Sequence, residues 1–108
     1  MPRVIYANSA IRDLQRVKEF LQSKNPSAAR RATQTIINAI KTLRQQPRIG
    51  RSIENIPDEF REWLINFGNS GYVIRYKFDG NDVTILAVRH QREVGYYEYE
   101  KALIKSQV

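Results

Sequence analysis

The spacing of hydrophobic and polar positions changes several times along the chain, and each change marks an element. Arg3-Val4-Ile5-Tyr6 is a short β-branched and aromatic run that reads as a strand. Ile11, Leu14, Val17 and Leu21 then recur at the helical period, with Asn8 or Ser9 available as N-cap. Lys24 and Asn25 interrupt that pattern. Asn25-Pro26 is a fresh start signal, Asn as N-cap and Pro at the first helical position. Ala29, Ala32, Ile36, Ile40 and Leu43 form the next apolar stripe, which Gln45-Gln46-Pro47 ends. Two amphipathic helices with so short a break predict an antiparallel hairpin.

Residues 47–59, with Pro47, Gly50 and Pro57, read as a loop. Beyond it the period falls to two. Phe60 to Phe67 alternates and places Trp63, Ile65 and Phe67 on one face. Gly68-Asn69-Ser70-Gly71 reads as a turn, after which Tyr72, Ile74, Tyr76 and Phe78 alternate with Val73, Arg75 and Lys77. Asp79-Gly80-Asn81-Asp82 is a second tight turn. Val83 to His90 is more uniformly apolar, as suits a central strand. The order β-α-α-β-β-β predicts an α+β fold, a helical hairpin packed on a small antiparallel sheet, with the first strand crossing over the hairpin. Residues 1–108 read as a single domain, 91–108 forming a C-terminal tail with a possible short helix.

Composition narrows the chemistry. The 108 residues include no cysteine and one histidine, so disulfides, thiolate nucleophiles and cysteine zinc sites are excluded and a histidine metal centre is disfavoured. No metal and no cofactor is expected. Apolar runs stay far below the roughly 20 residues of a membrane span, and the opening Met-Pro-Arg lacks a signal core. A cytoplasmic protein without a membrane partner is the expectation.

Charge is lopsided. Residues 1–51 carry eleven Lys and Arg against Asp13 and Glu19, while residues 52–108 carry seven against nine acids. A basic half favours an anionic partner, nucleic acid or an acidic protein segment. Arg30, Arg31, Lys41, Arg44 and Arg48 are the cations in question, and a merely solvated helix face is the competing explanation.

Phe67-Gly68-Asn69-Ser70-Gly71-Tyr72-Val73-Ile74-Arg75-Tyr76, followed by Ile85 to Tyr96, resembles the ParE branch of the RelE/ParE toxin superfamily. Pro47-Arg48-Ile49-Gly50-Arg51 resembles the Pro-x-x-Gly-Arg segment that follows the hairpin in that family. The element order matches from about residue 3 to residue 97. The resemblance implies a toxin of a type II toxin–antitoxin module, of the kind described as plasmid-stabilisation proteins. It further implies neutralisation by a cognate, ParD-like antitoxin, which the cations Arg30, Arg31, Lys41, Arg44 and Arg48 are candidates to meet. Antitoxin-mediated operator DNA binding belongs to the same expectation.

Within the superfamily, RelE-like members cut messenger RNA on the ribosome and ParE-like members poison DNA gyrase. Metal-free RNA cleavage needs a base, an acid and cations around the crowded phosphate. The positions that carry cations in RelE-like nucleases fall here on Leu64, Asn66, Val73 and Gln91, none of them basic. Inhibition of gyrase without catalysis is therefore the expected activity. Arg89, His90, Arg92, Tyr96, Tyr97 and Tyr99 are the target-binding candidates, since tyrosine and arginine concentrate binding energy at interfaces. The alternative is a metal-independent, ribosome-dependent endoribonuclease using His90, Arg92 and Tyr97. A second alternative is a non-toxic binding module of the same fold. Tyr72, Tyr76 and Phe78 are expected to pack as a sheet face, not to stack bases.

Overall fold

A computed structural model describes residues 2–68 and 70–91. Seven elements follow in order: β1 (Arg3–Tyr6), α1 (Asn8–Lys24), α2 (Pro26–Gln45), β2 (Arg51–Ser52), β3 (Phe60–Phe67), β4 (Ser70–Phe78) and β5 (Asp82–His90). The strands form one sheet in the order β1-β5-β4-β3-β2. β3, β4 and β5 are the expected antiparallel meander. β1 joins parallel to β5, with Val4 opposite Val83, because the helical pair returns the chain to the far edge in the same direction. The sheet is thus mixed, and β5 lies inside it.

α2 starts as its sequence indicates. The Asn25 side chain accepts from the Ala28 N–H at 3.2 Å and Pro26 opens the helix. Its stripe of Ala29, Ala32, Ile36, Ile40 and Leu43 is buried. Sealing a side chain such as Ile36 or Leu43 contributes about 1.5–3 kcal/mol each. α1 departs from expectation at its first turn. Ala7 is the N-cap and no side chain caps the helix, since the Ser9 hydroxyl donates instead to the Leu86 carbonyl at 2.7 Å. Its buried stripe runs through Ala10, Asp13 and Val17, with Leu14 and Leu21 partly buried. Ile11 is 53% exposed. At about 100° per residue it lies a quarter-turn from Ala10, off the side that meets the sheet.

The helix-facing side of the sheet presents Ile65 from β3, Tyr72, Ile74, Tyr76 and Phe78 from β4, and Val83, Ile85 and Val88 from β5. Trp63 and Phe67 pack against this cluster, as the alternation of β3 predicts. A register shift interrupts β5: Arg75 pairs with Ala87 but Tyr76 with Ile85, leaving Leu86 as the extra residue. That bulge turns Leu86 to the other face, where it packs with Phe60 under Ile53, Ile56 and Ala7.

Two segments expected as loop or turn are partly strand. Arg51 and Ser52 pair with Glu62 and Arg61, adding β2 at the edge. The turn before β4 is shorter than expected, because Ser70 already pairs with Phe67. Gly71 permits this tight return, since a Cβ there would lie 2.5 Å from the Ile65 carbonyl oxygen. The turn into β5 is held by Asp79, whose Oδ1 accepts from the N–H groups of Asn81 and Asp82 at 2.8 Å each. Those bonds hold its carboxyl below the usual carboxylate range.

Candidate functional site

Of the expected target-binding residues, Arg89 and His90 lie at the end of the sheet where β3 turns into β4 and β5 finishes. Across the strands, Leu64 pairs with Val73 and Val73 with Arg89, while Ile65 pairs with Tyr72 and Tyr72 with His90. Successive strand residues point to opposite faces, so Arg89 and His90 diverge. Arg89 shares the outer face with Leu64 and Val73. His90 lies on the helix side, edge-on to Tyr72 with ring centroids 5.4 Å apart at 88°. Tyr72 is 3% exposed and its ring also meets Phe67 at 6.1 Å. His90 therefore closes an aromatic cluster at the core's edge.

Arg89 is anchored by a residue that the sequence reading passed over. Asp13 on α1 is 3% exposed. Its Oδ2 accepts from the Val88 N–H at 3.0 Å, and its Oδ1 lies 3.5 Å from Arg89 and 3.7 Å from Arg16. β1 ends at Tyr6, opposite Ile85. Beyond that point Ser9 and Asp13, one helical turn apart on α1, serve the backbone of β5. The signal was present in the sequence, a single carboxylate on the apolar side of an amphipathic helix.

On the outer face Leu64 is half exposed and Asn66 is exposed, with no cation at either position or at Val73. Further along that face Glu62 joins two arginines. Its Oε1 lies 2.7 Å from Arg51 and its Oε2 3.0 Å from the buried Arg75. Those three are direct cross-strand neighbours on β2, β3 and β4. Arg75 is thus the buried end of an ion-paired row whose other end, Arg51, is exposed.

The Pro47-Arg48-Ile49-Gly50-Arg51 segment is docked onto this sheet by its backbone. The Tyr76 hydroxyl donates to the Pro47 carbonyl at 2.8 Å and accepts from the Gly50 N–H at 2.9 Å. Burial pushes the Tyr76 phenol up, opposed by the Gly50 hydrogen bond and the Arg61 charge. Arg61 donates to the Gly50 carbonyl at 2.9 Å. A Cβ on Gly50 would come within 2.6 Å of the Tyr76 oxygen. The motif is structural, with its glycine required by the close approach of a tyrosine ring.

Arg30, Arg31, Lys41, Arg44 and Arg48 are all exposed. The Arg31 guanidinium donates to the Ser27 hydroxyl at 2.6 Å, and that of Arg48 lies 4.8 Å from the centre of the Phe78 ring. An open cleft of about 400 Å³, lined by Arg48, Asp58, Glu59, Arg61, Phe78, Asp79 and Gly80, occupies the end of the sheet away from His90. Among the described residues no three His, Asp or Glu side chains are grouped to hold a metal ion, and no helix is long and apolar enough to cross a membrane. Arg92, Tyr96, Tyr97 and Tyr99 lie outside the described residues.

Known proteins agree with this architecture. A chain from the chromosomal ParDE toxin–antitoxin system of P. aeruginosa superposes with a TM-score of 0.66 at 19% identity, over 83% of this chain and 96% of that one. Two proteins of Caulobacter vibrioides are similar in sequence. Toxin RelE3 is 34% identical over 84 residues, 78% of this chain and 88% of its own length. Toxin RelE1 is 34% identical over 90 residues, 83% of this chain and 94% of its own. Residues 4–95 match the family described as the ParE toxin of the type II toxin-antitoxin system parDE. With its element order, sheet topology and hairpin in place, the chain belongs to the ParE toxin family of type II toxin–antitoxin modules.

Proposed function

We propose that this toxin acts by binding DNA gyrase, without catalysis of its own, and is neutralised by a ParD-like antitoxin. One observation carries the choice of target. The outer sheet face, at the positions where RelE-like nucleases place cations, holds the directly paired Leu64 and Val73 with the exposed Asn66 beside them. Stabilising a pentacoordinate phosphate requires fixed positive charge. An aliphatic pair supplies none, and Arg89 on the same face is drawn to Asp13. An arginine beside a part-exposed aliphatic pair is compatible with a protein target, arginine being the anchor type at such interfaces.

The ribonuclease reading is favoured by the names of the two Caulobacter relatives, both RelE toxins. It requires His90 to work with Arg92 and Tyr97. Against it, the His90 ring packs on Tyr72 on the side opposite Leu64 and Val73.

Induced expression separates the readings. Gyrase poisoning produces filamentation and DNA-damage signalling, ribonuclease action produces immediate loss of translation, and a non-toxic binding module leaves growth unchanged. Co-expression of the antitoxin restores growth in the first two cases. Growth that continues normally after induction of the intact chain contradicts the toxin reading itself.

A further inference from the structure

The stretch between Glu19 and Glu54 contains seven lysines and arginines and no acid. Its centre is α2, and the three cations Arg30, Lys41 and Arg44 fall within an arc of about 60° on that helix. They span about 21 Å along its axis. All three are exposed, and none forms an ion pair among the described residues. Beside that arc lie the exposed amides of Gln34 and Asn38, hydrogen-bonded to each other at 2.9 Å. The exposed large apolar residues, such as Ile11, Phe20 and Leu64, all lie outside α2.

We infer that the outer face of α2 is a docking surface for the phosphate backbone of double-stranded DNA. A folded or folding protein segment takes its affinity from apolar anchors seated in a groove. This face offers only Ile37, partly buried between Arg30 and Arg44. It offers guanidinium and ammonium groups along one side of the helix with amides beside them, the side chains that contact phosphates without reading sequence. An acidic antitoxin segment would satisfy the charge but would find a single, partly buried isoleucine as its apolar foothold on this face. The inference does not depend on gyrase being the toxin's target.

Fluorescence anisotropy of the full chain with a labelled 20-base-pair duplex tests it, across a salt series. Each phosphate contact adds about −0.9 to the slope of log K against log salt. Three contacts therefore give a slope of about −2.7 or steeper, a loss of about 40-fold in affinity between 50 and 200 mM salt. The variant Arg30→Gln/Lys41→Gln/Arg44→Gln, whose exposed substitutions leave the melting temperature unchanged, is expected to flatten that slope by about 2.7. A control variant, Arg12→Gln/Lys18→Gln, removes exposed cations from α1 and is expected to leave the slope within about 0.5 of the wild type. Absence of binding at 50 mM salt overturns the inference. So does a triple variant with the wild-type slope, or a control that loses as much per charge. Polyglutamate that displaces the duplex at lower charge-equivalent concentration than unlabelled DNA also overturns it, in favour of an acidic protein segment.

Discussion

At position 50 the packing leaves no room for a side chain. A Cβ there would stand 2.6 Å from the Tyr76 oxygen and 2.9 Å from the Glu62 carbonyl oxygen. Gly50→Ala must push the 47–51 segment off the sheet, and urea denaturation should show a loss of about 1–3 kcal/mol. Tyr76→Phe leaves the Gly50 N–H without its acceptor and the Pro47 carbonyl without its donor, a loss of about 1–3 kcal/mol. The same tyrosine gives a pH signature. Its phenol is raised in the folded protein, so below about pH 10 both states keep the proton and stability does not depend on it. Above that, the unfolded chain releases the proton first, and stability falls as pH rises toward the folded-state value. Denaturation midpoints between pH 9 and 11 should drop less in Tyr76→Phe than in the wild type. Pro-x-x-Gly-Arg was visible in the sequence as a family motif. Its reason was not, because the ring that demands the glycine lies twenty-six positions along the chain.

The contact between α1 and β5 is the joint that fixes the candidate end of the sheet. Ser9 and Asp13 supply the Leu86 carbonyl and the Val88 N–H with partners where β1 has ended. Asp13→Ala strips Val88 of its acceptor and removes the Asp13 carboxylate from beside the half-buried Arg89. The expected loss is about 2–3 kcal/mol in equilibrium unfolding. Asp13→Asn, which can still accept from Val88, should lose less. Ser9→Ala should cost about 1 kcal/mol. The helices, β3 and β4 were legible from their apolar periods, and β5 from its uniformly apolar run between turn signals. The α1 joint was not, since Ser9 had an equally good local role as a helix cap and Asp13 an equally good local partner in Arg16, while Val88 lies 75 positions away. β2 escaped because two residues carry no period, and the β5 bulge because four consecutive apolar residues, Ile85 to Val88, hide a change of face.

On the scale of the whole molecule, a helical layer rich in cations backs a sheet whose outer face carries Leu64, Val73 and Arg89. The family and fold followed from the sequence because residues 60–90 combine alternating strands with the Ser-Gly-Tyr and Arg-His segments in order. The target did not, because adjacent Arg89 and His90 read as one unit in the sequence but face opposite sides of the sheet. The variant Arg92→Ala/Tyr96→Ala/Tyr97→Ala/Tyr99→Ala is expected to keep the wild-type melting temperature and antitoxin binding while losing at least tenfold in toxicity, as removal of interface anchors requires. A fall in melting temperature of about 5 °C or more would assign these residues to folding instead.

Purified toxin tested side by side on gyrase supercoiling and on messenger RNA bound to translating ribosomes addresses the central claim most directly. The account predicts concentration-dependent loss of supercoiling, reversed by the cognate antitoxin, with the RNA left intact. Unimpaired supercoiling together with RNA cleavage that drops about a hundredfold in His90→Ala would contradict it.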